Sequence, residues 1–64
     1  MKPRDKAIVE LNNGGYDFKR HGANHDIYYC QRTGCIIPLK RHDFDESDLR
    51  YIVSEIKKNE RREP

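Results

Sequence analysis

The residues of this chain with the most chemistry in them lie together, in the run Arg20-His21-Gly22-Ala23-Asn24-His25-Asp26-Ile27-Tyr28-Tyr29. A basic pair precedes a glycine turn, and His25 opens an aromatic and β-branched stretch. That order presents an imidazole at a strand end beside positive charge, an arrangement suited to gripping or cutting RNA. RNA carries its own nucleophile, the 2′-hydroxyl. A nuclease has to remove that proton, offset charge on the phosphate and protonate the leaving 5′-oxygen. Histidine, with an unperturbed pKa of about 6.5, handles protons near neutral pH. Lys and Arg pair with phosphate oxygens as their charge grows.

These residue types make His25 the expected general acid or base, with Lys19, Arg20, Lys40 and Arg41 as phosphate contacts. His21 and His42 are weaker candidates for a second proton-transfer role. The plainer reading of His25 is a turn histidine bonded to backbone, and of the cations an ordinary charged surface. Strand alternation puts Lys19 and Arg20 on opposite faces. No metal or cofactor is expected, because the route needs none and Asp and Glu cluster only at a helix start.

Composition sets the frame around this segment. The chain has 64 residues, of which 34% are hydrophobic and 38% charged, with no Trp. A single domain of this size buries only about 60% of the surface of its unfolded chain. It has room for a thin core but not for a deep cofactor pocket, and a partner chain is a reasonable expectation. The net charge of +2 is unevenly spread: residues 1–41 carry eight Lys/Arg against four Asp/Glu, and residues 42–64 carry five against seven. The basic part holds the histidine segment, and a local basic field attracts phosphate backbones. Cys30 and Cys35 are spaced C-x4-C without a second pair, a weak zinc half-site, and are expected to be thiols. Met1-Lys2-Pro3-Arg4-Asp5 contains no apolar run, and no segment approaches membrane-spanning length. A cytoplasmic location with no membrane contact is the expectation.

The elements that position the histidines follow from spacing. Residues 5–12 read as a short helix capped by Asp5, with Ala7, Ile8 and Leu11 on one face. Asn13-Gly14-Gly15 ends it. Residues 16–20 alternate as a half-buried strand, His21 to Asn24 form a turn, and residues 25–30 form a second strand. Gln31-Arg32-Thr33-Gly34 is a hairpin loop before a third strand at 35–39, where Pro38 requires an edge or a strand end. Tyr28 and Tyr29 point to opposite faces, one into the core and the other either packed across the strands or free to stack on a base. The acidic stretch Asp45 to Asp48 opens a helix over 46–59, with Leu49, Ile52, Val53 and Ile56 as its apolar stripe. The ordered core runs from about 5 to 58, and the charged tail 59–64 frays. The order α-β-β-β-α predicts an α+β domain: an antiparallel three-stranded sheet with both helices on one face, as in the double-stranded-RNA-binding domain. The other face is left free for function.

Assembled in this order, the residues resemble the HicA toxins of type II toxin–antitoxin systems. The resemblance spans about residues 5–57 and rests on Gly14-Gly15-Tyr16-Asp17-Phe18; the segment from Arg20 through Gly22 and His25 to Tyr28; Pro38-Leu39-Lys40-Arg41-His42; and the acidic linker and amphipathic helix that close the domain. It departs from the commonest family form in two places. Ala23 and Asn24 stand where Gly and Ser precede the histidine, and Leu39 lies between Pro38 and the basic pair. The resemblance implies a double-stranded-RNA-binding-like fold, mRNA cleavage dependent on His25, and neutralisation by a HicB-type antitoxin. Asn24 would then contact the phosphate or hold the turn. An antitoxin covering His25 would present an acidic surface. No direct DNA binding is expected. Two other readings stay open: a non-catalytic RNA-binding module, and an interaction protein that uses the free sheet face.

Overall fold

Pro3 starts the first helix, because a ring-fixed φ suits its first turn and the missing N–H had no helical partner to lose. In the computed structural model, which describes residues 1–60, the elements are α1 (Pro3–Asn13), β1 (Tyr16–His21), β2 (His25–Cys30), β3 (Cys35–Lys40) and α2 (Glu46–Glu60). The start of α1 differs from the expectation. Lys2 is the N-cap and gives no side-chain bond, while Asp5 lies inside the first turn. The three strands form an antiparallel sheet in the order β1-β2-β3. This is the predicted α+β arrangement, with the helices against one sheet face.

The core lies between the layers. Ala7 and Leu11 of α1 and Ile52 and Ile56 of α2 meet Tyr16, Tyr28, Cys30, Ile37 and Leu39 of the sheet. Ile8, Cys35, Phe44 and Leu49 pack against this group from its rim. Residues opposite one another across a ladder share a face, so the register sorts the strands. Tyr16, Cys30 and Cys35 lie on the helix side, as do Tyr28 and Ile37, and Asp26 and Leu39. Asp17, Tyr29 and Ile36 lie on the outer face, with Ile27 and Pro38, and His25 and Lys40. Pro38 occupies an edge strand, where a missing donor is tolerated. Gly15, at φ 89°, turns the chain from α1 into β1 in a conformation that favours glycine.

α2 begins with reciprocal bonds. Asp45 Oδ1 accepts from the backbone N–H of Ser47 and of Asp48, and Asp48 Oδ2 accepts from the N–H of Asp45 at 3.0 Å. The helix does not stop at the expected boundary. Asn59, placed by its charged neighbours in a fraying tail, is buried, and its Nδ2 donates to the Tyr16 hydroxyl at 3.0 Å. Positions 61–64 of that tail lie outside the described residues. Burial pushes the Tyr16 hydroxyl above its usual 10.0, and the Asn59 bond pulls it partly back.

This bond ties the last turn of α2 to the first residue of the sheet. Asn59→Ala removes it and leaves a buried hydroxyl short of a partner, which should destabilise the fold by about 1–2 kcal/mol. Urea unfolding at neutral pH reads this as a lower midpoint; an unchanged midpoint would show that the bond contributes nothing.

Candidate functional site

The turn between β1 and β2 is built so tightly that only glycine fits its first position. The N–H of Gly22 donates to the carbonyl of His25 at 2.6 Å, and a Cβ on Gly22 would stand 2.9 Å from that same oxygen. The carbonyl of Asn24 accepts from the N–H of Arg41 at 3.3 Å, which ties the turn to the end of β3. His25 therefore starts β2 from a fixed backbone. Its side chain is exposed and lies on the outer face, directly across from Lys40.

Lys19 and Arg20 correct the alternation argument. The β1–β2 register shifts between Phe18 and Arg20, so one extra residue is accommodated there. A bulge of this kind resets which side chain faces which way. Arg20 pairs with Ile27, an outer-face residue, and the Lys19 ammonium lies 4.5 Å above the ring of Tyr29, also on the outer face. Both cations therefore share the face of His25. Lys40 completes the set, with Nζ 3.3 Å from Asp48 Oδ2. Asp17 is the one acidic strand residue of that face among the described residues.

Of the remaining candidates, Asn24 is exposed at the turn and His42 is exposed in the connection to α2. Arg41 is not free to reach outward. Its Nη2 donates to the carbonyls of Gly22 at 2.7 Å and Ala23 at 2.5 Å, and its Nη1 donates to Asp26 Oδ1 at 3.1 Å. The free face and Arg41 thus serve different ends, one open to solvent and the other bracing the turn. Of the two adjacent tyrosines of β2, Tyr28 is the buried one and Tyr29 faces outward beneath Lys19. Cys30 and Cys35 are directly paired across the hairpin as free thiols. Among the described residues, no group of three or more His, Cys, Asp or Glu side chains converges as a metal cluster would.

Sequence reasoning gives no weight to Asp26, around which the helix-side end of the site is organised. Its carboxylate is buried and takes three side-chain partners. Arg4 Nη2 donates to Oδ2 at 2.6 Å, while Arg41 Nη1 and His21 Nδ1, the latter at 2.7 Å, donate to Oδ1. Arg4 also donates through Nε to the carbonyl of Lys40 at 2.9 Å. The His21 ring sits 4.8 Å from that of Phe18 and remains largely exposed. Nothing in the period of the sequence signals this cluster, because its members come from α1, β1, β2 and the residue after β3. The one clue is an Asp that follows His25 and precedes the apolar and aromatic run of β2. Tyr51 also escapes a reading by pattern, although it is 57% exposed and borders the depression beside His25 and Lys40.

The arrangement offers an exposed imidazole at a strand end, with Lys19 and Arg20 on the same face and Lys40, paired with Asp48, directly across from it. Such a surface can hold a phosphodiester and move a proton at it. Comparison with protein-family models, with characterised proteins and with solved structures returns no match. Among the described residues, no helix is long and apolar enough to cross a membrane.

The His21 bond, followed by those of Arg4 and Arg41, holds the Asp26 carboxyl below its ordinary 3.8 against the opposing effect of burial. A carboxyl depressed in the folded state stabilises the fold above its unfolded pKa, and that contribution is lost as pH falls through the folded value. Asp26→Asn should lower stability at pH 7 by about 1.5–3 kcal/mol, the range of hydrogen bonds to charged groups. It should also flatten the fall in stability expected of the parent as pH drops below 3.8. Denaturant midpoints collected from pH 7 to strongly acidic conditions decide this; parallel profiles for the two chains would remove Asp26 from that role.

Proposed function

We propose that this chain is a metal-independent endoribonuclease that cuts mRNA with His25 as general acid or base, and that it is the toxin partner of a HicB-type antitoxin in the cytoplasm. The observation that carries the reading is that His25, Lys40, Lys19 and Arg20 all belong to the outer face of the sheet, with Lys40 directly across from His25. RNA brings the nucleophile, so a histidine for the proton and cations for the phosphate form a sufficient minimal set. The sequence resemblance to HicA toxins supports the same role for His25. An antitoxin that covers this basic face would be acidic there, since charge complementarity speeds association and excludes wrong partners.

The test is cleavage of single-stranded RNA by purified protein. His25→Ala should lower the rate by about 10²–10⁴, the usual share of a general acid–base group, with an unchanged melting curve because the ring is exposed. In cells, induction of the parent should arrest growth and fragment mRNA, while His25→Ala should do neither. Equal cleavage by the two chains would refute the catalytic role. Binding without cleavage by either would leave an RNA-binding module.

The cations divide by geometry. Lys19→Ala with Arg20→Ala should weaken binding to single-stranded RNA and reduce the salt slope by about 0.7 for each phosphate no longer neutralised. Arg41→Ala should instead lower the melting temperature, because its guanidinium braces the turn. An undiminished salt slope in the double variant would remove the outer face as the surface that tracks the RNA backbone.

A further inference from the structure

Beside His25 the chain carries an aromatic ring that neither the core nor the cation set uses. Tyr51 lies in α2, is 57% exposed, and has no ring contact or hydrogen bond among the described residues. It borders an open depression of about 90 Å3 together with His25, Pro38, Lys40, Phe44 and Asp48. That volume is far below the roughly 300–1,000 Å3 of pockets that engulf small ligands, so a ligand would lie against this surface and not inside it. The Asp48 carboxylate, which would repel a phosphate, is neutralised here by Lys40. The other outward tyrosine, Tyr29, already has the Lys19 ammonium over its ring.

We propose that Tyr51, with Pro38 and Phe44 beside it in the same depression, is a stacking subsite for one unpaired nucleobase of a single-stranded RNA whose backbone passes His25. The inference rests on the ribonuclease reading and adds to it the part of the substrate that the protein holds next to the reacting phosphate. An exposed ring among apolar side chains, with the His25 imidazole at the same depression, matches what a base next to the reacting phosphate presents: a π-face with the phosphodiester at its edge. Stacking of this kind tolerates any base and excludes paired ones, whose faces are covered by their neighbours. The subsite would therefore select single-stranded segments while the cations supply affinity without sequence.

The chain has no Trp, so Tyr51→Trp introduces a lone indole at the subsite. In a His25→Ala background, a short single-stranded RNA should quench that indole in step with binding followed by anisotropy of a labelled oligomer. An abasic oligomer of the same length should bind through its phosphates without quenching. In the His25-containing chain, Tyr51→Ala should raise KM for single-stranded RNA by on the order of tenfold or more, and Tyr51→Phe should restore it. Binding and cleavage with no quench, and an unchanged KM for Tyr51→Ala, would overturn the subsite and leave the ribonuclease standing. No binding and no cleavage by the parent would overturn the ribonuclease reading and the subsite with it.

Discussion

The Asp26 carboxylate is the point on which the geometry of this small domain depends. A buried charge is tolerated only when it is paired and bonded, and Asp26 satisfies this by drawing in Arg4, His21 and Arg41. Each partner arrives from a different part of the chain, so one carboxylate holds the start of α1, the end of β1 and the residue after β3 together. Arg41 and Arg4 then pass the constraint on, one to the turn carbonyls of Gly22 and Ala23 and the other to the carbonyl of Lys40. In a chain with so thin a core, such a cross-brace does at one end of the sheet what the buried Asn59–Tyr16 hydrogen bond does at the other.

The open face follows from that bracing. His25 neighbours Asp26 in the chain, so fixing one orients the other: the carboxylate points toward the helices and the imidazole away from them. The bulge at Lys19 and Arg20 then turns two cations toward the side that His25 occupies. Polarity is thus divided by face. The helix side uses its charges on one another, and the outer side leaves most of its charges to solvent.

Much of this is legible in the sequence, and the failures have identifiable causes. β2 and the hairpin loop are readable because β-branched and aromatic residues run between turn residues, and α2 because Leu49, Ile52, Val53 and Ile56 keep the helical period. Asp5 misleads because an acidic residue suits both a cap and a first turn, and Pro3 decides between them. Asn59 misleads because composition sees only its charged neighbours, while burial depends on where the helix points. Lys19 and Arg20 are assigned to opposite faces by a period of two that one extra residue breaks. Asp26 and Tyr51 escape for complementary reasons: the bonds of the first span distant sequence, and the second makes none that a pattern could record.

The bulge has a consequence for how another chain could approach. A sheet of three strands exposes two borders, and an unblocked border invites a foreign strand to extend the ladder. On β3, Pro38 removes a donor from one border; on β1, the register shift beyond Phe18 bends the other. Strand addition meets an interruption on either side. Any protein that covers the open face would have to do so through side chains laid across the sheet, and its grip would vary with salt and with surface charge more than with backbone complementarity.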